Sequence, residues 1–278
     1  MGILQAIKLA LASIRSNKLR SFLTMLGIII GVAAVIVLVA IGQGTTAQVT
    51  GQIQGMGSNL ITISIRSNQT DFTLTYDEVM GWKSRSGIQG IAPVVTGNVN
   101  VKYGNKKYDT SLEGVNSEYQ QVRAYQVQEG RFILDGDLTY RQKVVLLGTD
   151  VWKELFGSAN PVGETIKING ENFKVIGLLA SKGTASMGSN DDKVLIPITT
   201  AQRLLDTRGI RSAYIQASAS DQVDSVVAQL EGILLRKLKD SDKFRVFNQA
   251  EMLSTISQVT GTLTAMLGGI AAISLVVG

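Results

Sequence analysis

The sequence predicts a membrane protein of the α+β class, in which apolar helices bracket one large extracytoplasmic domain. Two long stretches, Ser21–Ile65 and Thr262–Gly278, carry no charged residue. Between Arg66 and Glu251 charges are spread as in a water-soluble protein. The net charge of +5 is gathered at one end, because Lys8, Arg15, Lys18 and Arg20 precede the first apolar stretch and no acid occurs before Asp71, leaving 23 of the 27 bases against 22 acids in the rest. Basic residues directly ahead of an apolar segment are the positive-inside signature. They place the N-terminus in the cytoplasm and residue 42 onward on the far side, so the expected location is the cell membrane.

Taken in order, residues 1–20 read as a cytoplasmic amphipathic helix. Ile3, Ile7, Leu11 and Ile14 recur at helical spacing, with Lys8 and Arg15 on other faces, a pattern suited to a leaflet surface. Residues 21–41 are the first transmembrane helix. Phe22–Ile41 holds only Thr24 as a polar side chain, and twenty residues at about 1.5 Å each match a hydrocarbon core of about 30 Å. A cleaved signal peptide would have a shorter apolar core of about 7–15 residues. Within the helix, Gly27, Gly31 and Ala34 form a small-residue face that lets two helices approach closely in lipid, the candidate helix–helix contact. Lys18 and Arg20, with Lys8 and Arg15, are the cytoplasmic anchors.

Residues 42–261 form the exported domain. Ile41, Thr45, Val49, Ile53 and Met56 continue the helix as a stalk up to a corner at Gly57-Ser58-Asn59. Asn59–Ile65 alternates as a strand. Thr75–Glu78 is a capping box opening a short helix to about Arg85, broken by Ser86-Gly87, and a strand follows over Ile91–Val95. Val99, Val101 and Tyr103 alternate before Gly104-Asn105 and pair back from Tyr108. Lys143–Leu147 is a buried strand, and Asp150 is expected to cap a helix over Val151–Phe156. Glu164–Ile168 and Glu171–Leu178 are joined by Asn169-Gly170, a strong hairpin signal. Ser181–Lys193 reads as a mobile, solvated loop. Thr199 or Thr200 is expected to cap a helix through Leu205, Tyr214–Ala217 is a strand, Asp221–Leu238 an amphipathic helix and Lys243–Phe247 a strand. Asn248–Glu251 caps a final helix that runs without a breaker into residues 262–278, the start of a second transmembrane helix that ends mid-span. The domain thus divides into two αβ pieces, 42–97 and 199–261, around a β-rich insert, 98–198.

Composition excludes much chemistry. Histidine and cysteine are both absent, which removes Ser-His-Asp and Cys-His catalysis, disulfides and the usual zinc sites. No phosphate-cradling Gly-x-x-x-x-Gly-Lys-Ser/Thr motif occurs, so no nucleotide cofactor is expected in this chain. Asp135-Gly136-Asp137 lacks the spacing of a calcium loop and reads as a solvated turn. Asp191-Asp192 reads as charge that keeps a loop in water, and Ser181-Lys182 as an exposed adjacent pair rather than an activated nucleophile. No catalytic, cofactor or metal residue emerges, no basic stripe interleaved with aromatics points to nucleic acid, and the chain is not expected to be an enzyme.

Asn17-Lys18-Leu19-Arg20-Ser21-Phe22-Leu23-Thr24-Met25-Leu26-Gly27-Ile28-Ile29-Ile30-Gly31-Val32 resembles the opening of MacB/FtsX-type ABC transporter permeases. So do Gly57-Ser58-Asn59-Leu60, Glu129-Gly130-Arg131-Phe132, and Leu155-Phe156-Gly157 followed by Pro161-Val162-Gly163. The resemblance implies a four-helix permease whose exported part has a mixed α/β porter-like lobe (42–97 and 199–261) and a β-rich sabre-like lobe (98–198). It further implies a homodimer or paired permease, a separate ABC ATP-binding subunit, an adaptor of the membrane-fusion type, and efflux of a peptide, toxin or drug by mechanotransmission. Two other readings stay open: an FtsX-like regulator of an extracytoplasmic cell-wall hydrolase, and the sensor module of a signalling receptor.

Overall fold

The computed structural model describes residues 2, 5, 16–54, 59–66, 74–185, 188–207 and 209–277. The expected leaflet helix over residues 1–20, with Lys8 and Arg15, and the Gly57-Ser58 corner lie largely or wholly outside the described residues. The chain forms two compact units: Met1–Gly51 with Leu253–Gly278, and Gln52–Met252.

The first unit is built on two long helices, α1 (Lys18–Gln54) and the last helix of the chain (Gln249–Val277). Leu19, Phe22, Ile29, Ile30 and Ile36 on α1 are each at least 60% exposed, and Met266 and Ile273 on the last helix match them. The helices approach closely at Gly42, where an added Cβ would lie 2.9 Å from Thr260 Cγ2. Taken over the described residues alone, no helix is long and apolar enough to cross a membrane. The transmembrane expectation for 21–41 and 262–278 therefore rests on sequence and surface chemistry.

The second unit is organised by one sheet. Its strands are β1 (Leu60–Ile65), β2 (Ile88–Tyr103), β3 (Lys106–Val115), β4 (Val127–Gly130), β5 (Val144–Leu147), β6 (Thr165–Ile168) and β7 (Glu171–Leu179). A two-stranded hairpin, β8 (Thr184–Ala185) and β9 (Gly188–Ser189), stands apart, and β10 (Lys193–Pro197), β11 (Ser212–Ala217) and β12 (Phe244–Asn248) return to the sheet. The helices between them are α2 (Tyr76–Met80), α3 (Tyr119–Val122), α4 (Asp135–Thr139), α5 (Thr149–Phe156), α6 (Ile198–Leu204) and α7 (Val223–Leu238), so the last helix is α8.

β2 is the organising strand. Ile88–Val94 pairs with β11, which continues antiparallel through β1 to β12. Val95–Tyr103 pairs instead with β3. From β3 the order runs β10, β5, β7, β6, and β6 pairs back onto β2 at Val101 and Lys102. These strands therefore close into a barrel, which leaves no free edge around the ring. The β3–β10 and β5–β7 pairings are parallel. The lobe boundary expected at 97/98 falls inside β2, and both groups of strands share one compact unit.

Local chemistry explains most elements. Asn169 and Gly170 take φ 48° and 88°, the left-handed pair that a two-residue hairpin needs. Thr75 and Glu78 make the reciprocal capping box of α2. α7 buries Val223, Val226, Leu230, Leu234 and Leu238 as one stripe and packs on β12 and β1. Asn248 Oδ1 accepts the Glu251 N–H at 2.7 Å and starts α8.

Four expectations are corrected. Gly148, not Asp150, is the N-cap of α5; Asp150 instead accepts the Ser189 hydroxyl at 2.5 Å. Pro197 precedes α6, while the Thr199 and Thr200 hydroxyls reach away to the Leu138 and Gln142 carbonyls at 2.9 and 3.0 Å. Asp137 is no solvated turn residue, being buried in α4 and held by both terminal nitrogens of Arg131 at 2.6 and 3.0 Å. The 181–193 segment is anchored by a buried Asp191, which accepts from Ser181 Oγ and from the N–H groups of Lys182 and Gly183 at 2.5, 2.8 and 3.0 Å. A carboxylate with that many local donors folds a polar loop back on itself, which composition alone does not reveal.

Gly130 shows how tightly the sheet is packed. It sits at φ 81°, and a Cβ there would come within 2.2 Å of the Ile176 carbonyl oxygen on β7. Gly130→Ala should cost about 2–4 kcal/mol, combining left-handed strain with overpacking. Both tryptophans, Trp82 and Trp152, lie in this unit, so a lowered urea midpoint in tryptophan fluorescence checks the expectation.

Candidate functional site

Two features stand out once the core is accounted for: the apolar surface of the first unit and a buried charge cluster in the second. They are independent of each other.

On α1 the exposed apolar side chains are not confined to a stripe. Leu23, Met25, Leu26, Ile28 and Val32 are exposed together with the residues named above, and consecutive positions point in all directions around a helix. A helix apolar all round is one that something other than water covers. Lys18 and Arg20 are exposed at its start. At Gly27, the first position of the candidate contact, nothing among the described residues lies within 4 Å of an added Cβ. Gly31 is half-buried and Ala34 lies on the same helix. The close approach that the structure does show uses Gly42, a small residue further along α1 whose partner on α8 sequence spacing did not indicate.

In the second unit, β3, α3, β10 and β11 bring together residues far apart in sequence. Glu113 on β3 accepts Lys193 Nζ at 2.6 Å and the Tyr119 hydroxyl at 2.5 Å. Tyr119 stacks on Tyr125 at 5.5 Å and meets Tyr214 edge-on at 6.2 Å. The Arg123 guanidinium lies 4.2 Å over the Tyr214 ring, and the Lys182 ammonium 4.2 Å over the Tyr125 ring. Lys182 Nζ also donates to the Arg123 carbonyl at 2.5 Å, which ties the 181–193 segment to the turn after α3. Beside this turn opens a hollow of about 440 Å³ lined by Ser117, Gln120, Gln121, Ala124, Tyr125 and Gln126.

The electrostatics follow from the crowding of cations. Burial, then Arg123 and Lys193, pulls the Lys182 ammonium down to about 8, with Asp191 opposing. Burial also pulls on Lys193, but Glu113 and Tyr125 outweigh it and hold it above the ordinary lysine value. Desolvation raises Tyr119 and Tyr214. Burial would raise Asp191, yet the Lys182 N–H, the Ser181 hydroxyl and the Gly183 N–H more than offset it and hold it low.

Sequence reading missed this cluster because its members run from Glu113 to Tyr214 with no common spacing. One available signal was Lys193, a charge opening the otherwise apolar Val194–Ile196 run. Among the described residues no group of three or more acidic, cysteine or histidine side chains could hold a metal ion.

Comparison with known proteins gives a consistent result. Residues 21–233 match the family described as the MacB-like periplasmic core domain. A macrolide export ATP-binding/permease protein MacB of Chlorobium luteolum is 34% identical over 279 residues, covering 95% of this chain and 42% of that protein. An uncharacterized ABC transporter permease of Bacillus subtilis, YknZ, is 29% identical, covering 100% of this chain and 72% of that protein. Among solved structures, the periplasmic region of MacB from Actinobacillus actinomycetemcomitans superposes with a TM-score of 0.61 at 24% identity, over 76% of this chain and 97% of that one. That likeness establishes the α/β fold. The chain thus spans about two fifths of the length of the MacB relative.

The charge cluster sets a pH signature. Because the folded Lys182 value is depressed, the unfolded chain holds a proton that the folded chain has released between pH about 8 and about 10.5, so stability should rise with pH there. Above about pH 10 the raised tyrosines and Lys193 act with the opposite sign, and stability should fall. Lys182→Met should flatten the rise and leave the fall, as read from urea unfolding in a pH series.

Proposed function

We propose that this chain, which belongs to the family of MacB-like periplasmic core domains, is the permease part of an ABC transporter, held in the cell membrane by α1 and α8. The observation that carries this reading is the exposure of large apolar side chains all round α1, joined on α8 by Val259, Leu263, Met266, Ile270 and Ile273. A single apolar stripe would suit a partner helix, whereas apolar residues on every side suit hydrocarbon. The basic residues Lys18 and Arg20 at the start of α1 set its N-terminal end in the cytoplasm by the positive-inside rule. Residues 42–261 then stand outside the cytoplasm as porter-like and sabre-like lobes.

The work proposed is mechanotransmission. An ATP-binding component, whose phosphate-cradling motif lies outside these 278 residues, would close on the cytoplasmic side of two permease copies. The helices would carry that motion to the exported domain, which drives efflux of a peptide, toxin or drug with an adaptor of the membrane-fusion type. α8 supports this mechanically: it runs from Gln249 to Val277 with no proline, so no backbone donor is missing where a bend would form. The chain itself acts without a cofactor and catalyses no reaction.

Purification of the full-length protein from native membranes tests the reading. An ATP-binding subunit or domain should co-purify in near-equal amount, together with an adaptor. Recovery with a histidine kinase or a cell-wall hydrolase instead, and no ATP-binding partner, would contradict it. A second check is Val259→Pro, placed in the interior of α8. It should cost that helix about 3 kcal/mol or more and uncouple ATP hydrolysis from export, while tryptophan fluorescence of the α/β unit stays unchanged.

A further inference from the structure

The barrel ring is closed, but β4 stands outside it. It ends the strand order and, among the described residues, pairs with β7 alone. The Gln126 carbonyl accepts the Ala180 N–H and the Arg131 N–H donates to the Ile176 carbonyl, both at 2.9 Å. All peptides here are trans, and in a trans peptide the carbonyl and the N–H that follows it point opposite ways. The Val127 N–H and the Gly130 carbonyl therefore point away from β7. Gln128, Glu129 and Gly130 are exposed, so this outer edge lies open. An open row of backbone donors and acceptors is matched by another extended backbone.

The hollow beside α3 opens at the start of this edge, because Gln126, the residue before β4, lines it together with Gln120 and Gln121. Charge of both signs stands close by. The Asp135 carboxylate accepts the hydroxyl of Ser117 in the lining, and the Lys182 ammonium lies 4.2 Å over the ring of Tyr125 in the wall. An entering carboxylate would meet Asp135, and an entering ammonium would approach Lys182. A neutral group with both a donor and an acceptor conflicts with neither, and the three glutamine amides of the lining can bond to it in both senses. The side-chain amide of asparagine or glutamine is such a group.

We propose that the outer edge of β4 takes up an extended segment of a partner protein as an added strand, with an asparagine or glutamine side chain of that segment entering the hollow. The edge supplies main-chain hydrogen bonds and the hollow selects the side chain. β4 is four residues long and bulged between Val127 and Glu129, so the segment it fits is short. The inference concerns the α/β unit alone and stands apart from the transport reading.

Ligand-observed saturation-transfer NMR on the full chain in detergent tests it with the peptide acetyl-Thr-Val-Gln-Val-Thr-amide. This peptide should give a saturable signal at about 1 mM, the range of weak short ligands. Versions with glutamate or lysine in place of glutamine should give about fivefold less or lower. Two further versions carry N-methyl groups on alternate backbone nitrogens, one on both valines and the other on the glutamine and both threonines. A strand turns every second N–H to the same side, so one of these versions should lose about fivefold or more and the other should keep its signal. Val127→Pro removes the outward N–H, a change that edge strands tolerate, and should lower the signal about fivefold at an unchanged urea midpoint. Should that midpoint fall, Gln121→Trp, which fills the hollow from an exposed position, decides in its place. Equal signals from the glutamine, glutamate and lysine peptides would overturn the role of the hollow, and equal signals from the two methylated peptides the added strand. A signal undiminished in the deciding variant would overturn the location, and no signal at all would overturn the site.

Discussion

Apolar surface that nothing in the chain covers is the constraint on which everything else depends. The α/β unit hides most of its own: Ile61, Ile91, Leu112, Leu146, Ile166 and Phe173 are all fully buried, and only Leu134, Tyr140, Leu235 and Phe247 stand exposed among its described large apolar side chains. The two long helices do not. Burying a large aliphatic side chain is worth about 1.5–3 kcal/mol. Keeping a dozen or more of them in water forgoes tens of kcal/mol of favourable transfer, about 20 kcal/mol or more. On the proposed reading, lipid is the medium that covers this surface, the one that an all-round apolar helix such as α1 matches.

Within the folded unit, β2 does the joining. A strand of sixteen residues that pairs with β11 at one end and with β3 and β6 at the other locks the antiparallel sheet to the barrel. The partners β11 and β3 are thus joined through one continuous backbone rather than across a loop. On the proposed reading, this is how a push arriving at one group of strands reaches the other. The cation–tyrosine cluster adds rigidity at the same place, since Glu113 lies on β3, Lys193 on β10 and Tyr214 on β11.

Much of this was legible in the sequence, for reasons that differ by element. The capping boxes at Thr75 and Asn248, the Asn169-Gly170 turn and the α7 stripe depend on neighbours within a few residues, so local pattern reveals them. The parallel pairings β3–β10 and β5–β7 are set by barrel closure, and no local signal encodes them. Polar residues misled where tertiary partners claimed them. Asp137 and Asp191 look like surface charges until Arg131 and the 181–183 donors are in place, and Thr199 and Thr200 look like caps until the Leu138 and Gln142 carbonyls draw their hydroxyls away. The charge cluster was the least legible, because its residues meet only after the sheet has formed.

The absence of cysteine from these 278 residues permits the most direct test, with any cysteine elsewhere in the full-length protein replaced by serine. Single cysteines at Ile29, Ile270 and Lys167 can each carry a spin label in the full-length protein reconstituted into liposomes. Collision with oxygen, which concentrates in hydrocarbon, is compared with collision with a water-soluble nickel chelate. Labels at 29 and 270 should be reached by oxygen and shielded from the chelate, and the label at 167 should show the reverse. A chelate as effective at 29 and 270 as at 167 would contradict the account, because those helix surfaces would then face water.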